Sequence, residues 1–407
     1  MLDTGDTGFM LVATALVMIM TPGLAFFYGG LVSRKNVLTI MMQSYVSMGV
    51  TTILWVTVGY SLCFSGDTGG IIGNLDNALL RGIEPTDLFT GEDGTIPVLL
   101  FVVYQMMFAI ITPALITGAF ANRITFKAYL IFLVAWQLLV YFPFVHMIWG
   151  GGMLADGGIF GAVGVKDFAG GIVVHALAGM AALASVLYVG KRNVQDSGAH
   201  NVPFVALGAA LLWFGWFGFN AGSELAVDEI TAVAFINTQI AAAFAAITWL
   251  LLAWNYDGKP SFVEMLIGMI AGLATITPAA GFVSPQSAMI IGVAAGGVCY
   301  FAVVLRKKYE LDDALDVWGV HGVGGALGII LLGVLASESV GGHNGLYHGN
   351  SDFFLVQLGG LAIACVWAFA FTYGMLWGID NLTPVRVTEE SERNLDESLH
   401  GESAYTE

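Results

Sequence analysis

The sequence predicts an all-α, polytopic membrane protein of eleven transmembrane helices, N-terminus outside and C-terminus inside. Three observations predict it. The 407 residues are 57% hydrophobic and only 11% charged, whereas a soluble domain carries about 25% charged residues. The apolar residues gather in stretches close to the roughly 20-residue length that crosses a bilayer as a helix. The cationic residues, in turn, sit almost entirely in alternate connections.

The first apolar stretch covers 10–31. It lacks a basic leader and is too long for a signal h-region, so it reads as a retained helix. The next spans are 38–64, 96–120, 129–149 and 168–189, followed by 202–219, 232–254, 262–280 and 288–305. The last two are 317–335 and 353–377. With the N-terminus outside, the inner connections hold Arg34, Lys35, Arg123, Lys127, Lys191, Arg192, Lys259, Arg306, Lys307 and Lys308. Arg386 and Arg393 in the inner tail bring this to 12 of the 14 Lys and Arg residues, leaving Arg81 and Lys166 outside. Cytoplasmic loops carry the excess of Lys and Arg, which selects this orientation.

The formal charge of −16 lies largely in 67–93 and in 389–407. An acidic chain argues against nucleic acid as a partner, since that binding needs a basic face. Cys63, Cys299 and Cys365 all fall inside spans and leave no disulfide framework. No second domain is visible: 1–380 form the membrane domain and 381–407 a polar cytoplasmic tail. That tail reads either as a solvated acidic end or as a docking and regulatory element. No cofactor and no metal are expected.

Two histidines stand where histidines are rare. His175 lies in DFAGGIVVHALAGM and His321 in DVWGVHGVGGAL, each inside an apolar span among small residues. Ionisable side chains in such spans usually face a bundle interior and mark a pathway. Small neighbours let helices approach closely, so the two rings are expected to meet. Thr112-Pro113-Ala114 in the third span recurs as Thr277-Pro278-Ala279 in the eighth, and an aspartate precedes each histidine. An offset of five spans inverts the second copy, the layout that puts transporter sites near the midplane. Counted as helix from Asp167 and Asp316, the histidines lie about 12 and about 7.5 Å from opposite faces at 1.5 Å per residue.

Asp167 reads first as a cap for free backbone N–H groups and second as a negative charge at the outer mouth that attracts cations. Asp316 likewise reads as a cap. Aromatic residues collect near the outer ends of the spans: Tyr104, Phe108, Trp149, Trp216 and Phe219. An interfacial belt accounts for many such rings. Beside the Ser223 hydroxyl they would instead hold a small cation by cation–π contact and a hydrogen bond.

The strings FFYGGLVSRKN, VHMIWGGG, DFAGGIVVH, GWFGFNAGS, DVWGVHGVGG and DESLHGESAY resemble the signatures of the ammonium transporter (Amt/MEP/Rh) family, nearest its microbial and plant Amt branch. The resemblance implies ammonium or ammonia transport, with methylammonium as an analogue, and no enzymatic activity. It implies an outer ammonium site at Phe108, Trp149 and Ser223 with Trp216 beside the same pore. It further implies a gate of Phe108 over Phe219, conduction past His175 and His321, and Asp167 near the site. Eleven helices in inverted five-helix repeats around a pore, a homotrimer in the cytoplasmic membrane and a PII-type partner at the inner face are implied as well. Three positions depart from the pattern. Tyr104 and Trp318 stand where phenylalanine is common, and Asn394 where a glycine usually precedes Leu-Asp. The rival readings are an ammonium sensor acting through a partner, a gas channel, and, from another class, a membrane redox protein with haem between the two histidines.

Overall fold

The computed structural model describes residues 1–90, 94–194 and 198–405. Asp93 and Glu407, at the ends of the two acid-rich stretches, lie outside the described residues. Eleven long helices run α1 Thr4–Leu31, α2 Val37–Phe64, α3 Val98–Ile116, α4 Phe126–Trp149, α5 Gly171–Val189, α6 Val202–Glu224, α7 Glu229–Asp257, α8 Phe262–Ile276, α9 Pro285–Lys308, α10 Trp318–Leu335 and α11 Ser351–Asp380. Among the described residues, ten are long and apolar enough to cross a membrane, and α8 is the exception at 15 residues. At 1.5 Å per residue α8 reaches only about 22 Å, because the chain breaks into turns at Thr277-Pro278, inside the expected span 262–280.

Local sequence sets the helix ends. Asp3 caps α1 by accepting from the N–H groups of Gly5 and Asp6. Asp228 and Thr231 form a reciprocal capping box on α7, and Gly258 ends that helix at φ 74°. Ser261, Ser284 and Asn350 cap α8, α9 and α11 through their side-chain oxygens. Such caps satisfy N–H groups that have no partner within the helix.

The arrangement is a bundle whose core mixes alanine with large aromatic side chains such as Trp55, Trp136 and Trp249, beneath an apolar coat. Helices α3 and α5 are the most enclosed of those ten, and α11 the least. Leu11, Ile53, Phe214, Leu251, Val366 and Trp377 project outward. In water such a coat would be a liability; against lipid it is the surface that a multi-pass membrane protein needs.

The tail packs back onto the bundle, against the connections that follow α1, α3 and α5. Val387 N–H bonds the Arg123 carbonyl and Thr125 N–H the Val385 carbonyl. Asp396 accepts from Leu38 N–H at 2.9 Å, Thr39 N–H at 2.8 Å and the Thr39 hydroxyl at 2.9 Å, capping α2. Glu392 takes the N–H groups of Asn193 and Val194. The Arg34 guanidinium lies 5.0 Å from the Tyr405 ring. Carboxylates on helix and loop N–H groups therefore fasten the tail more than ion pairs with the basic loops do. Asn394 is not among the positive-φ residues, whereas Gly401 is, at φ 67°. No left-handed backbone is asked of Asn394, so losing a glycine there costs nothing.

Candidate functional site

Glycine brings the two histidine helices together. A Cβ on Gly179 of α5 would stand 2.0 Å from the Gly322 Cα of α10, and one on Gly325 would stand 2.9 Å from the His175 Cβ. Only bare backbone permits that approach. Both histidines also sit on widened turns. His175 N–H bonds the Gly170 carbonyl five residues back at 3.0 Å, and Val323 N–H bonds that of Trp318. Such i→i+5 bulges are rare and concentrate at functional sites. Each helix is entered through a left-handed residue, Gly170 at φ 111° and Asp316 at φ 57°.

The rings that result are parallel and close. His175 and His321 stack with centroids 5.2 Å apart and planes 19° from parallel, and their Nδ1 atoms are 3.2 Å apart. Both side chains are buried. One Nδ1 must donate and the other accept, so the rings share a proton and take opposite tautomers. Nε2 is then an acceptor on one ring and a donor on the other. His175 Nε2 is buried with no protein partner, an open position for a guest.

Above the histidines lies an aromatic plug. Phe108 and Phe219 are 4.3 Å apart between centroids at 36°, and Phe219 stacks 5.9 Å from His175. Above the plug, on the face expected to lie outside, opens a cavity of about 640 Å³, lined among others by Phe108, Trp149, Asp167, Ser223 and Glu224. Trp149 meets Phe108 edge-on at 6.3 Å, and its indole N–H donates to the Asp167 carbonyl at 2.9 Å. Below the plug only about 10 Å³ is open, between His175, His321, Trp216, Phe219 and apolar side chains. That is about the room one water-sized molecule needs.

Asp167 acts as a cap. Its Oδ1 accepts from Gly170 and Gly171 N–H at 2.9 and 2.6 Å, and its Oδ2 from Ile172 and Val173 N–H at 2.8 and 3.1 Å. Helix α5 therefore begins at Gly171, not at 168, and His175 stands shallower along helix than a count from Asp167 implies. Asp316 is different. Asp313 Oδ2 takes the Trp318 N–H at 2.7 Å, while Asp316 lies 2.6 Å from the Arg306 guanidinium. The cap expected of Asp316 falls to its neighbour.

Phe108, Trp149 and Ser223 thus share the outer cavity, with Phe219 and the histidines beneath. Trp216 is set apart from the outer group: it stacks on His175 at 5.4 Å and donates to the Thr277 hydroxyl at 2.9 Å. Sequence reasoning passed over that role of Thr277, although its Thr-Pro-Ala string was visible. It also passed over Glu224, whose acidic side chain directly follows Ser223. A haem between the histidines does not fit. Two metal–nitrogen bonds of about 2 Å end to end need about 4 Å, more than the 3.2 Å found, and the surrounding space cannot hold a macrocycle.

An apolar-coated helical bundle with a vestibule, an aromatic plug and a buried polar pair has the architecture of a multi-pass membrane protein with a candidate pathway through it. Comparison with known proteins narrows the class. The model of the Ammonium Transporter Family matches residues 8–405, and the chain belongs to that family. It is 46% identical over 407 residues to an ammonium transporter of Aquifex aeolicus, covering 99% of this chain and 94% of that one. The crystal structure of Candida albicans Mep2 superposes with a TM-score of 0.87 at 34% identity, over 96% of this chain and 88% of that one. A solved sensor Amt protein superposes with a TM-score of 0.86 at 27% identity, over 96% of both.

Proposed function

We propose that the chain carries ammonium across the cytoplasmic membrane by stripping its proton at the outer face and passing ammonia between the histidines. Moving a bare cation into a low-dielectric pore costs tens of kcal/mol. Removing a proton from an ion of pKa about 9 near pH 7 costs only roughly 3 kcal/mol at 1.36 per unit. On this reading Phe108, Trp149 and Ser223 hold the ion by cation–π contact and a hydrogen bond. Phe108 and Phe219 part to admit the neutral molecule. His175 and His321 then exchange hydrogen bonds with it, one ring donating and one accepting. Potassium has no proton to lose and stays outside.

The observation that carries this is the pair of Nδ1 atoms at 3.2 Å beneath the closely packed rings of Phe108 and Phe219. The finer architecture belongs to the same reading: eleven crossings with the N-terminus outside, inverted five-helix repeats, and a homotrimer with one pore per subunit. A PII-type signalling protein docks at the inner face, and the tail 381–407 regulates transport. The likeness to a sensor Amt protein favours one second reading, in which ammonium binding is signalled with little flux.

Methylammonium flux into proteoliposomes with simultaneous current recording tests both. Transport predicts saturable uptake, and the current tells whether the released proton follows. His175→Ala and His321→Ala should each abolish selective conduction while leaving assembly intact. Unchanged flux and selectivity in both variants would sink the mechanism, and binding without uptake by the unaltered protein would favour the sensor.

A further inference from the structure

Behind Ser223, which lines the outer cavity, stands a hydroxyl where phenylalanine is common, that of Tyr104. The Tyr104 ring packs edge-on against Phe108 at 5.1 Å, and its side chain is fully buried. Its Oη lies 2.9 Å from the Gly218 carbonyl oxygen, 3.1 Å from that of Phe219 and 3.2 Å from Ser223 Oγ. Ser223 Oγ in turn donates to the Phe219 carbonyl at 2.8 Å.

Two hydroxyl hydrogens are thus shared among two carbonyl oxygens, which only accept, and the two hydroxyl oxygens. With the Tyr104 hydrogen on Gly218, that of Ser223 has two acceptors inside the protein, the Phe219 carbonyl and Tyr104 Oη. With the Tyr104 hydrogen on Ser223, the serine hydrogen still lies on Phe219. In both of these arrangements the Ser223 hydrogen turns inward, and its oxygen keeps a lone pair for the cavity. Without the tyrosine hydroxyl, a single carbonyl holds that hydrogen, and Oγ is freer to rotate and offer it outward.

We propose that Tyr104 is a positioning residue that holds Ser223 as a pure hydrogen-bond acceptor toward the outer cavity, tuning the site for a cation that only donates. The inference rests on the transport reading above. Alkylammonium and ammonium ions carry N–H donors and no acceptor, as a lysine ammonium does. A serine hydrogen aimed at the cavity would oppose them and favour water.

The test is the concentration dependence of methylammonium uptake in proteoliposomes for wild type, Tyr104→Phe, Ser223→Ala and the double variant. Phenylalanine keeps the ring and its packing on Phe108, and elution of the purified oligomer checks the fold. Tyr104→Phe should raise the half-saturating concentration about threefold to tenfold, the range for one net hydrogen bond, with the maximal rate unchanged. In the Ser223→Ala background the same substitution should change nothing, because the coupling runs through the serine. An unchanged half-saturation in Tyr104→Phe overturns the proposal. So does a shift of equal size with Ser223 absent, which would make the tyrosine a packing residue. A wild-type protein that takes up no methylammonium would instead overturn the transport reading itself.

Discussion

Asp167 accepts four backbone N–H bonds at the entry to α5, and its own carbonyl holds the Trp149 indole. One residue therefore sets both the start of the His175 helix and the attitude of a ring in the outer cavity. An exposed cap is worth about 0.5–2 kcal/mol. Here the released N–H groups are buried, where each unmet donor costs about 1–3 kcal/mol. Asp167→Ala should lower the melting temperature well beyond an ordinary cap deletion and abolish flux, and Asp167→Asn, which keeps one accepting oxygen, should recover part of the stability. If the alanine variant melts like the wild type, the N–H groups have found other partners and the cap is dispensable.

Between elements, the decisive contact is bare backbone against bare backbone at Gly179 and Gly322. A methyl at Gly179 would have to enter a 2.0 Å gap to the Gly322 Cα, so α5 and α10 must separate and the paired Nδ1 atoms with them. Overpacking of this kind costs about 1–3 kcal/mol. Gly179→Ala is expected to reduce flux strongly with a modest loss of thermal stability. Gly297→Ala, where nothing lies within 4 Å of the added carbon, is the control and should leave both unchanged. Equal behaviour of the two variants in melting and uptake assays would show that the close approach is not required.

At the scale of the whole molecule, the face that carries the tail is tied by charge and by the tail itself. Burial raises the Asp312 carboxyl, but hydrogen bonds from the Arg192 side chain and backbone outweigh it, with Arg192 and Arg123 charges adding, and bring it from 3.8 to about 2. A carboxylate held low in the folded state stabilises it above the unfolded value, and that contribution fades as pH falls through the folded value. The melting-temperature gap between wild type and Asp312→Asn should therefore be full above pH 3.8 and close as pH falls toward about 2. A gap that stays constant over that window would remove the linkage. Deleting 387–407 strips the Asp396 cap from α2 and the Glu392 contacts from Asn193 and Val194. We expect that deletion to change methylammonium flux or the binding of a PII-type protein. Equal flux and equal partner affinity would reduce the tail to packing alone.

Much of this was legible in the residues themselves. Apolar run length and cation placement determined a helical membrane bundle, and the glycine-flanked spans singled out His175 and His321, because hydrophobic length and the cost of a buried polar ring are local properties; the roles of Phe108, Trp149, Phe219 and Ser223 were implied by the family resemblance. Tertiary structure alone decided the rest. It placed Nδ1 against Nδ1, moved the start of α5 to Gly171, gave the α10 cap to Asp313 instead of Asp316, and drew Trp216 to Thr277, 61 residues away. It also bent Tyr104 onto a hydroxyl 119 residues distant. Hydrogen bonds between distant segments depend on ångström-scale placement, and that placement comes from how glycine-lined helices pack, which no local pattern encodes.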